Sequence, residues 1–65
     1  MKCKQIEVGK TYTNGQHERL VNRIFKNGNI EYLLTKKSGK GVGIQGQVYR
    51  CRLQTLASWA KEEVL

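Results

Sequence analysis

The sequence contains no proline and no aspartate, and it has only two cysteines and one histidine in 65 residues. Without proline, the seven glycines are the only strong breakers of regular structure. No apolar run approaches the roughly 20 residues of a membrane-spanning helix, and no apolar segment follows the basic N-terminus as it does in a secretory signal. We therefore expect a cytoplasmic protein with reduced thiols and no membrane contact.

The length of the chain limits what it can enclose. Sixty-five residues make a single domain, residues 1–65, with a thin hydrophobic core. A domain of this size buries only about 60% of the surface that its unfolded chain exposes. Enclosed ligand sites commonly have volumes of about 300 Å³ or more, for which so small a core has little room. We therefore predict that the chain is not an enzyme on its own, although an oligomer can build a shared site at its interface.

Residues of the kinds that carry catalysis or bind metals are few and badly spaced. The single histidine, His17, has only Glu18 as an immediate acidic neighbour, which is a poor geometry for a proton relay. Together with Cys3 and Cys51 it supplies three possible zinc ligands, one fewer than a structural site needs, at a spacing that fits no zinc motif. Residues 41–46 match G-x-G-x-x-G, but a strand follows them where a nucleotide-binding fold needs a helix. The sequence thus predicts no catalytic residues, no metal and no cofactor.

The clearest structural signal is a β-hairpin over residues 20–35. Two apolar runs flank Asn27-Gly28, a dipeptide that favours the positive φ values of a two-residue type I′ turn. That turn predicts three facing pairs on one side of the hairpin: Phe25 with Ile30, Arg23 with Tyr32, and Val21 with Leu34.

The remaining segments complete a mainly β layout. Residues 6–13 read as a first strand, and residues 48–53 as a last strand with Arg50 and Arg52 on its outward face. Thr55 is a plausible N-cap for a helix through Val64, whose apolar stripe would cover the open end of the sheet. We expect residues 1–5 to fray and residues 36–47 to form a flexible, basic, glycine-rich loop. This layout predicts a small SH3-like barrel of four to five strands with a short C-terminal helix.

The strongest compositional feature is positive charge. Twelve lysines and arginines face five glutamates, for a formal net charge of +7. Such an excess favours anionic partners, although the same charge also keeps a small domain in solution. Lysines on a glycine-rich backbone can wrap a phosphate chain, and arginines beside a tyrosine can track and stack on single strands. The predicted nucleic-acid contacts are Lys36, Lys37, Lys40, Arg23, Arg50, Arg52 and Tyr12, and Tyr12 fits a core position equally well.

Two segments resemble a known group of proteins. They are Val8-Gly9-Lys10-Thr11-Tyr12, and Tyr49-Arg50-Cys51-Arg52-Leu53 leading into Leu56-Ala57-Ser58-Trp59-Ala60. In these segments the chain resembles small prophage-encoded SH3-like barrel proteins of unknown function. The resemblance implies the fold and an origin in a mobile element, and it implies no activity.

Two functions remain open at this point. The first is a non-enzymatic module, monomeric or weakly dimeric, that binds DNA or RNA largely without sequence specificity. The alternative is a phage-type accessory protein that binds an acidic surface of a host protein, through its basic surface or through an open strand edge.

Overall fold

The computed structural model of the protein describes residues 1–39 and 43–65. Five strands form one antiparallel sheet, accompanied by one turn of 3-10 helix and one short α-helix. In chain order the elements are the 3-10 turn Cys3–Gln5, β1 Thr11–Thr13, β2 Glu18–Ile24, β3 Asn29–Lys36, β4 Val48–Arg52, α1 Leu53–Trp59 and β5 Glu62–Glu63. The predicted fold class is confirmed: the protein is mainly β, with five strands and a short helix near the C-terminus.

The strands lie in the order β4-β3-β2-β1-β5. Within the described residues β4 pairs only with β3, and β5 pairs only with β1. The sheet is therefore open between these two strands, which leaves β4 as an edge strand of five residues.

The core lies between one face of this sheet, the helix and the 3-10 turn. Its largest fully buried side chains are Tyr12, Ile30, Leu56 and Val21. Ile6, Ala57 and Ala60 complete the cluster, and Trp59 packs against it half-buried. We refer to this core-facing side of the sheet as the inner face.

The first strand is shorter than predicted. Only Thr11–Thr13 is a strand, because the chain turns at Gly9, which has a φ of +88°. Ile6 is nevertheless buried, whereas Val8 is exposed. The prediction of a strand from residue 6 was wrong, since a turn reverses the chain between these two residues and β1.

The hairpin forms, but its predicted turn and register were wrong. Gly28 N–H donates to the Phe25 carbonyl and Phe25 N–H to the Asn29 carbonyl, so the loop is the three residues Lys26-Asn27-Gly28. A type I′ turn would need a positive φ at Asn27 as well, whereas here Gly28 alone has one, at +88°. A type I turn followed by a left-handed glycine avoids that strain at a residue with a side chain.

A bulge in β2 changes which residues share a face. Val21 pairs with Tyr32 and Arg23 with Glu31, so Asn22 is an extra residue on β2. The bulge keeps Val21 on the inner face and moves Arg23 to the opposite side, which we call the outer face. The predicted pairing of Arg23 with Tyr32 was wrong for this reason.

The C-terminal segment divides into a helix and a strand. The helix spans Leu53–Trp59 with no side-chain cap, so the prediction of Thr55 as N-cap and of a helix reaching Val64 was wrong. Lys61 N–H donates to the Thr13 carbonyl and Val64 N–H to the Thr11 carbonyl. These hydrogen bonds to the edge of β1 hold the chain after Trp59 in an extended conformation. The helix therefore ends there, and Glu62–Glu63 form β5.

The described parts of the predicted 36–47 loop are tied to the sheet. Leu34 N–H donates to the Gln47 carbonyl, and Gly46 N–H donates to the Leu34 carbonyl. Lys37 N–H donates to Oε1 of Gln45 over 3.2 Å. Residues 40–42, with the predicted contact Lys40, lie outside the described residues.

Candidate functional site

The outer face carries a row of three charged side chains. Arg23 on β2 faces Glu31 on β3, and Glu31 faces Arg50 on β4. Directly opposed residues of neighbouring strands lie on the same face. β2 and β4 are not neighbours, because β3 lies between them and places the Glu31 carboxylate between the two arginines.

Further cations lie toward the β2–β3 turn. Arg52 pairs with Asn29, next to the turn, and its Nη2 would lie 3.7 Å from a Cβ added at Gly28. Lys26 lies in the turn itself and is exposed. We call Arg23, Lys26, Arg50 and Arg52 the cationic face.

The cationic face keeps a net positive charge and includes an aromatic ring. Arg50 lies 3.5 Å from Glu31, whose side chain is 19% exposed, and 5.5 Å above the centre of the Phe25 ring. Within the described residues no carboxylate pairs with Arg23, Lys26 or Arg52. Four cations and one carboxylate leave this end of the sheet with a charge of +3.

The predicted lysines lie elsewhere. Lys36 ends β3 at the end of the sheet opposite the β2–β3 turn, with its ammonium 3.9 Å from Glu18. Lys37 follows it half-buried, and Lys40 lies outside the described residues. Lys36 and Asn29, the partner of Arg52, are seven positions apart, which is roughly 23 Å along a strand. The described basic residues of the predicted site therefore divide between two ends of the sheet.

Tyr12 does not reach the surface. It is fully buried, and its hydroxyl accepts from Glu7 N–H at 2.8 Å and donates to the Gln5 carbonyl at 2.9 Å. Its proposed role in stacking on bases was wrong, because the ring is a central part of the core. The aromatic residue beside the outward arginines is Phe25.

The inner face holds an arginine that the sequence did not single out. The guanidinium carbon of Arg19 lies 4.6 Å from the ring centre of Tyr32 and 4.1 Å from that of Trp59. Arg19 faces Leu34 across the strands, at a position where alternation from the buried Val21 predicts an inward side chain. That alternation was the available signal for it.

A small cleft opens beside this arginine. Its volume is about 80 Å³, and it is lined by Arg19, Tyr32, Leu34, Gly43 and Tyr49. The rings of Tyr32 and Tyr49 are 5.9 Å apart. Gly43 has a φ of +108°, a conformation that favours glycine, and a Cβ added there would meet Leu34 at 3.1 Å.

Burial changes the acidity of two groups near the cleft. Burial raises the pKa of the Cys51 thiol and of the Tyr32 hydroxyl, and the nearby positive charge of Arg19 offsets part of the rise for each. Both groups therefore favour their neutral forms, and neither is activated as a nucleophile.

The described residues show no other chemical centre. They contain no cluster of three or more His, Cys, Asp or Glu side chains able to hold a metal ion. His17 instead accepts a hydrogen bond at Nδ1 from Ser38 N–H over 3.2 Å. None of the helices in the described part of the chain is long and apolar enough to cross a membrane.

Comparison with known proteins adds no assignment: no protein-family model, curated protein or solved structure matches this chain.

Proposed function

We propose that the protein is a non-enzymatic module that binds nucleic acid through the cationic face, largely without reading sequence. The observation that carries the proposal is the group formed by Arg23, Lys26 and Arg52. These three cations come from β2, the β2–β3 turn and β4, and none pairs with a carboxylate in the described residues.

Charge and an accessible ring support this choice of partner. Arginine and lysine bind phosphate oxygens, and each phosphate contact on a single strand releases about 0.7 counterions. Phe25 is half-buried beside Arg50 and offers part of its ring to a base, which is the sequence-tolerant contact of single-strand binders. The cationic face and one stacking ring together suit a single strand better than a duplex, because the bases of a duplex are already stacked.

The helix is poorly placed to read base sequence. It has seven residues and buries Leu56 and Ala57 in the core. A recognition helix must present several side chains to a groove, whereas this helix uses its apolar side to stabilise a thin core. Binding through phosphates and one stacked base predicts weak dependence on sequence.

Fluorescence anisotropy with labelled single- and double-stranded DNA and RNA tests the proposal. We expect single strands to bind with a log–log salt slope of about −2, the value for the three phosphate contacts of Arg23, Lys26 and Arg52. The double variant Arg23→Gln/Arg52→Gln should reduce the magnitude of that slope by about 1.5. A matched control, Lys2→Gln/Lys4→Gln, removes the same charge from two exposed residues at the start of the chain and should weaken binding less.

Two results would contradict the proposal. One is the absence of binding to any nucleic acid at low salt. The other is an equal loss of affinity in the double variant and its control, which would show that net charge acts without a defined face. A Lys36→Gln/Lys37→Gln variant measured in parallel tests whether the opposite end of the sheet takes part.

A second candidate function is supported by the edge strand β4, which pairs only with β3 in the described residues. A free strand edge can accept a strand from a protein partner or from a second copy of the chain. A pull-down from lysate treated with nuclease tests this alternative. A stoichiometric protein partner that survives the treatment supports it. A monomer in light scattering would rule out pairing between two copies of the chain.

A further inference from the structure

The environment of Arg19 differs from that of the other arginines. Its guanidinium is flanked by the rings of Tyr32 and Trp59, at 4.6 and 4.1 Å from their centres. No carboxylate pairs with it in the described residues. Its Nε–H is shut off from solvent and has no hydrogen-bond partner. The positive charge is thus held by aromatic faces alone.

The two rings fix the guanidinium while leaving its terminal amino groups without a hydrogen-bond partner among residues 1–39 and 43–65. Stacking over ring faces orients the guanidinium plane and uses none of its in-plane N–H donors. The Arg19 side chain makes no hydrogen bond to another described residue. Such a held arginine has lost side-chain freedom before any ligand arrives, which favours binding of a group that fits its donors.

The adjoining cleft has the size and the second donor for a small anion. Its volume of about 80 Å³ exceeds the share of about 30 Å³ that one water molecule takes in the liquid. Tyr49, at its wall, accepts a hydrogen bond from Ile44 N–H over 2.7 Å, which leaves its hydroxyl proton free to donate. The cleft is far below the volume of a site for a drug-sized ligand, about 300 Å³.

We propose that this cleft binds one phosphate group, held by the Arg19 guanidinium and the Tyr49 hydroxyl. The cleft has no acidic residue in its lining, so nothing there repels the anion. Donors from two strands, β2 and β4, suit the tetrahedral oxygens of a phosphate, whereas a planar carboxylate is satisfied by one edge of an arginine alone. The phosphate is free inorganic phosphate or the terminal phosphate of a nucleic-acid strand.

This site is separate from the cationic face and does not rest on the proposed function. Arg19 lies on the inner face and the cationic face lies on the outer one, so substitutions in one leave the other intact. An isolated phosphate site would stand even if longer nucleic acids did not bind.

Trp59 provides a direct signal, because it is the only tryptophan and its ring touches the Arg19 guanidinium. Its fluorescence is followed while phosphate replaces chloride at constant ionic strength. We expect a saturable change with half-saturation between about 0.1 and 10 mM. Acetate in a parallel titration should act at least several-fold more weakly. A dinucleotide with a 5′-phosphate, compared with its 5′-hydroxyl form, distinguishes a terminal phosphate from the free ion.

Variants separate this site from general charge. Arg19→Gln should lower the affinity for phosphate at least tenfold, and Tyr49→Phe several-fold, whereas Arg23→Gln removes one charge from the same strand and should change little. Phosphorus NMR of wild-type protein gives a second readout that needs no variant, since bound phosphate broadens in proportion to protein concentration. The proposal is overturned if the wild type gives neither saturation nor broadening, or if Arg23→Gln lowers the affinity as much as Arg19→Gln does.

Discussion

Arg19 and Arg50 lie on opposite faces of one sheet, and each contacts an aromatic ring. Arg50 is 71% exposed, lies 3.5 Å from Glu31 and is 5.5 Å from the centre of the Phe25 ring. Arg19 has no carboxylate partner in the described residues and lies within 4.6 Å of two ring centres. The same residue type thus serves once as an exposed charge and once as part of the inner packing.

The comparison shows how desolvation changes the strength of an interaction. A cation over a ring contributes about 0.5–1 kcal/mol at an exposed site and about 2 kcal/mol or more when water is excluded. At Arg50, water and Glu31 compete for the same guanidinium. At Arg19 the buried Nε–H has no competing partner, so the rings are its main stabilising contacts.

The bulge at Asn22 keeps Val21 on the inner face and Arg23 on the outer one, and a charge placed at the inner position should have the largest effect. Val21→Lys would bury an unpaired charge, because the Val21 side chain is fully buried. A domain this small has only about 3–5 kcal/mol of stability to lose. We expect the substitution to abolish cooperative thermal unfolding measured by circular dichroism.

The control for this substitution is Arg23→Ala, at an exposed position on the outer face, which should cost less than about 1 kcal/mol. A Val21→Lys variant that still unfolds cooperatively near the wild-type temperature would show that Val21 does not lie on the buried face.

Two double-mutant cycles compare the arginine–aromatic contacts directly. For Arg19→Gln with Trp59→Leu we expect a coupling free energy of about 1–2 kcal/mol, because the ring centre is 4.1 Å away and the Nε–H is shut off from solvent. For Arg50→Gln with Phe25→Leu we expect about 0.5 kcal/mol or less, because the guanidinium is exposed and farther from the ring. Urea unfolding of the four proteins in each cycle measures both values, and equal couplings would contradict this account of burial.

The fold class and the segment order could be predicted from the sequence, but the details that form the site could not. Alternation placed Tyr49 and Cys51 inward and Arg50 outward because β4 has no bulge. In β2 the bulge ends the alternation after Val21. No residue around Asn22 is of a type that predicts a bulge at this position. The helix was predicted too long, because the strand-like end of the chain depends on a distant edge, that of β1.

Site prediction failed where it relied on residue type without pairing. Tyr12 was included as an aromatic neighbour of basic residues, yet its hydroxyl satisfies two backbone groups inside the core. Arg19 was not included, because alternation from Val21 predicts only that its side chain points inward and not what it contacts there. Its role depends on Trp59, which is 40 positions away in the chain and meets it only in the folded protein.

The inner face should also respond to alkaline pH in a way that the outer face does not. Burial raises the pKa of Cys51 from an ordinary value of 9.0, and that of Tyr32 from 10.0. The folded state therefore holds these protons at a pH where the unfolded state has lost them. This contribution to the free energy of unfolding is complete below about pH 9 and decreases as the pH rises through the raised values.

Urea unfolding at several values between about pH 8 and pH 10.5 measures this dependence. Cys51→Ala should show a shallower loss of stability over the first part of that range, whereas Cys3→Ala, at an exposed thiol, should follow the wild type. The hydrogen bond to Glu7 raises the pKa of Lys10, and this too stabilises the fold less as the pH rises. Because Lys10 is unchanged in all three proteins, its contribution cancels when their slopes are compared. Identical slopes for wild type and Cys51→Ala would contradict the burial of the thiol.

The smallest expected change in stability, with a clear functional consequence, comes from Glu31→Gln. The carboxylate pairs with an arginine that is 71% exposed, and such pairs contribute about 0–1 kcal/mol. Removing it should therefore change the free energy of unfolding by less than about 1 kcal/mol. It also raises the charge of the cationic face and frees Arg50 for a phosphate, so affinity for single-stranded nucleic acid should increase and the salt slope should steepen by about 0.7.

Glu7→Gln removes an exposed carboxylate that pairs with Lys10, away from this face, and is the matched control. If both variants raise affinity equally, Glu31 affects binding only through net charge; if Glu31→Gln alone does so, the row of Arg23, Glu31 and Arg50 is where the nucleic acid lies.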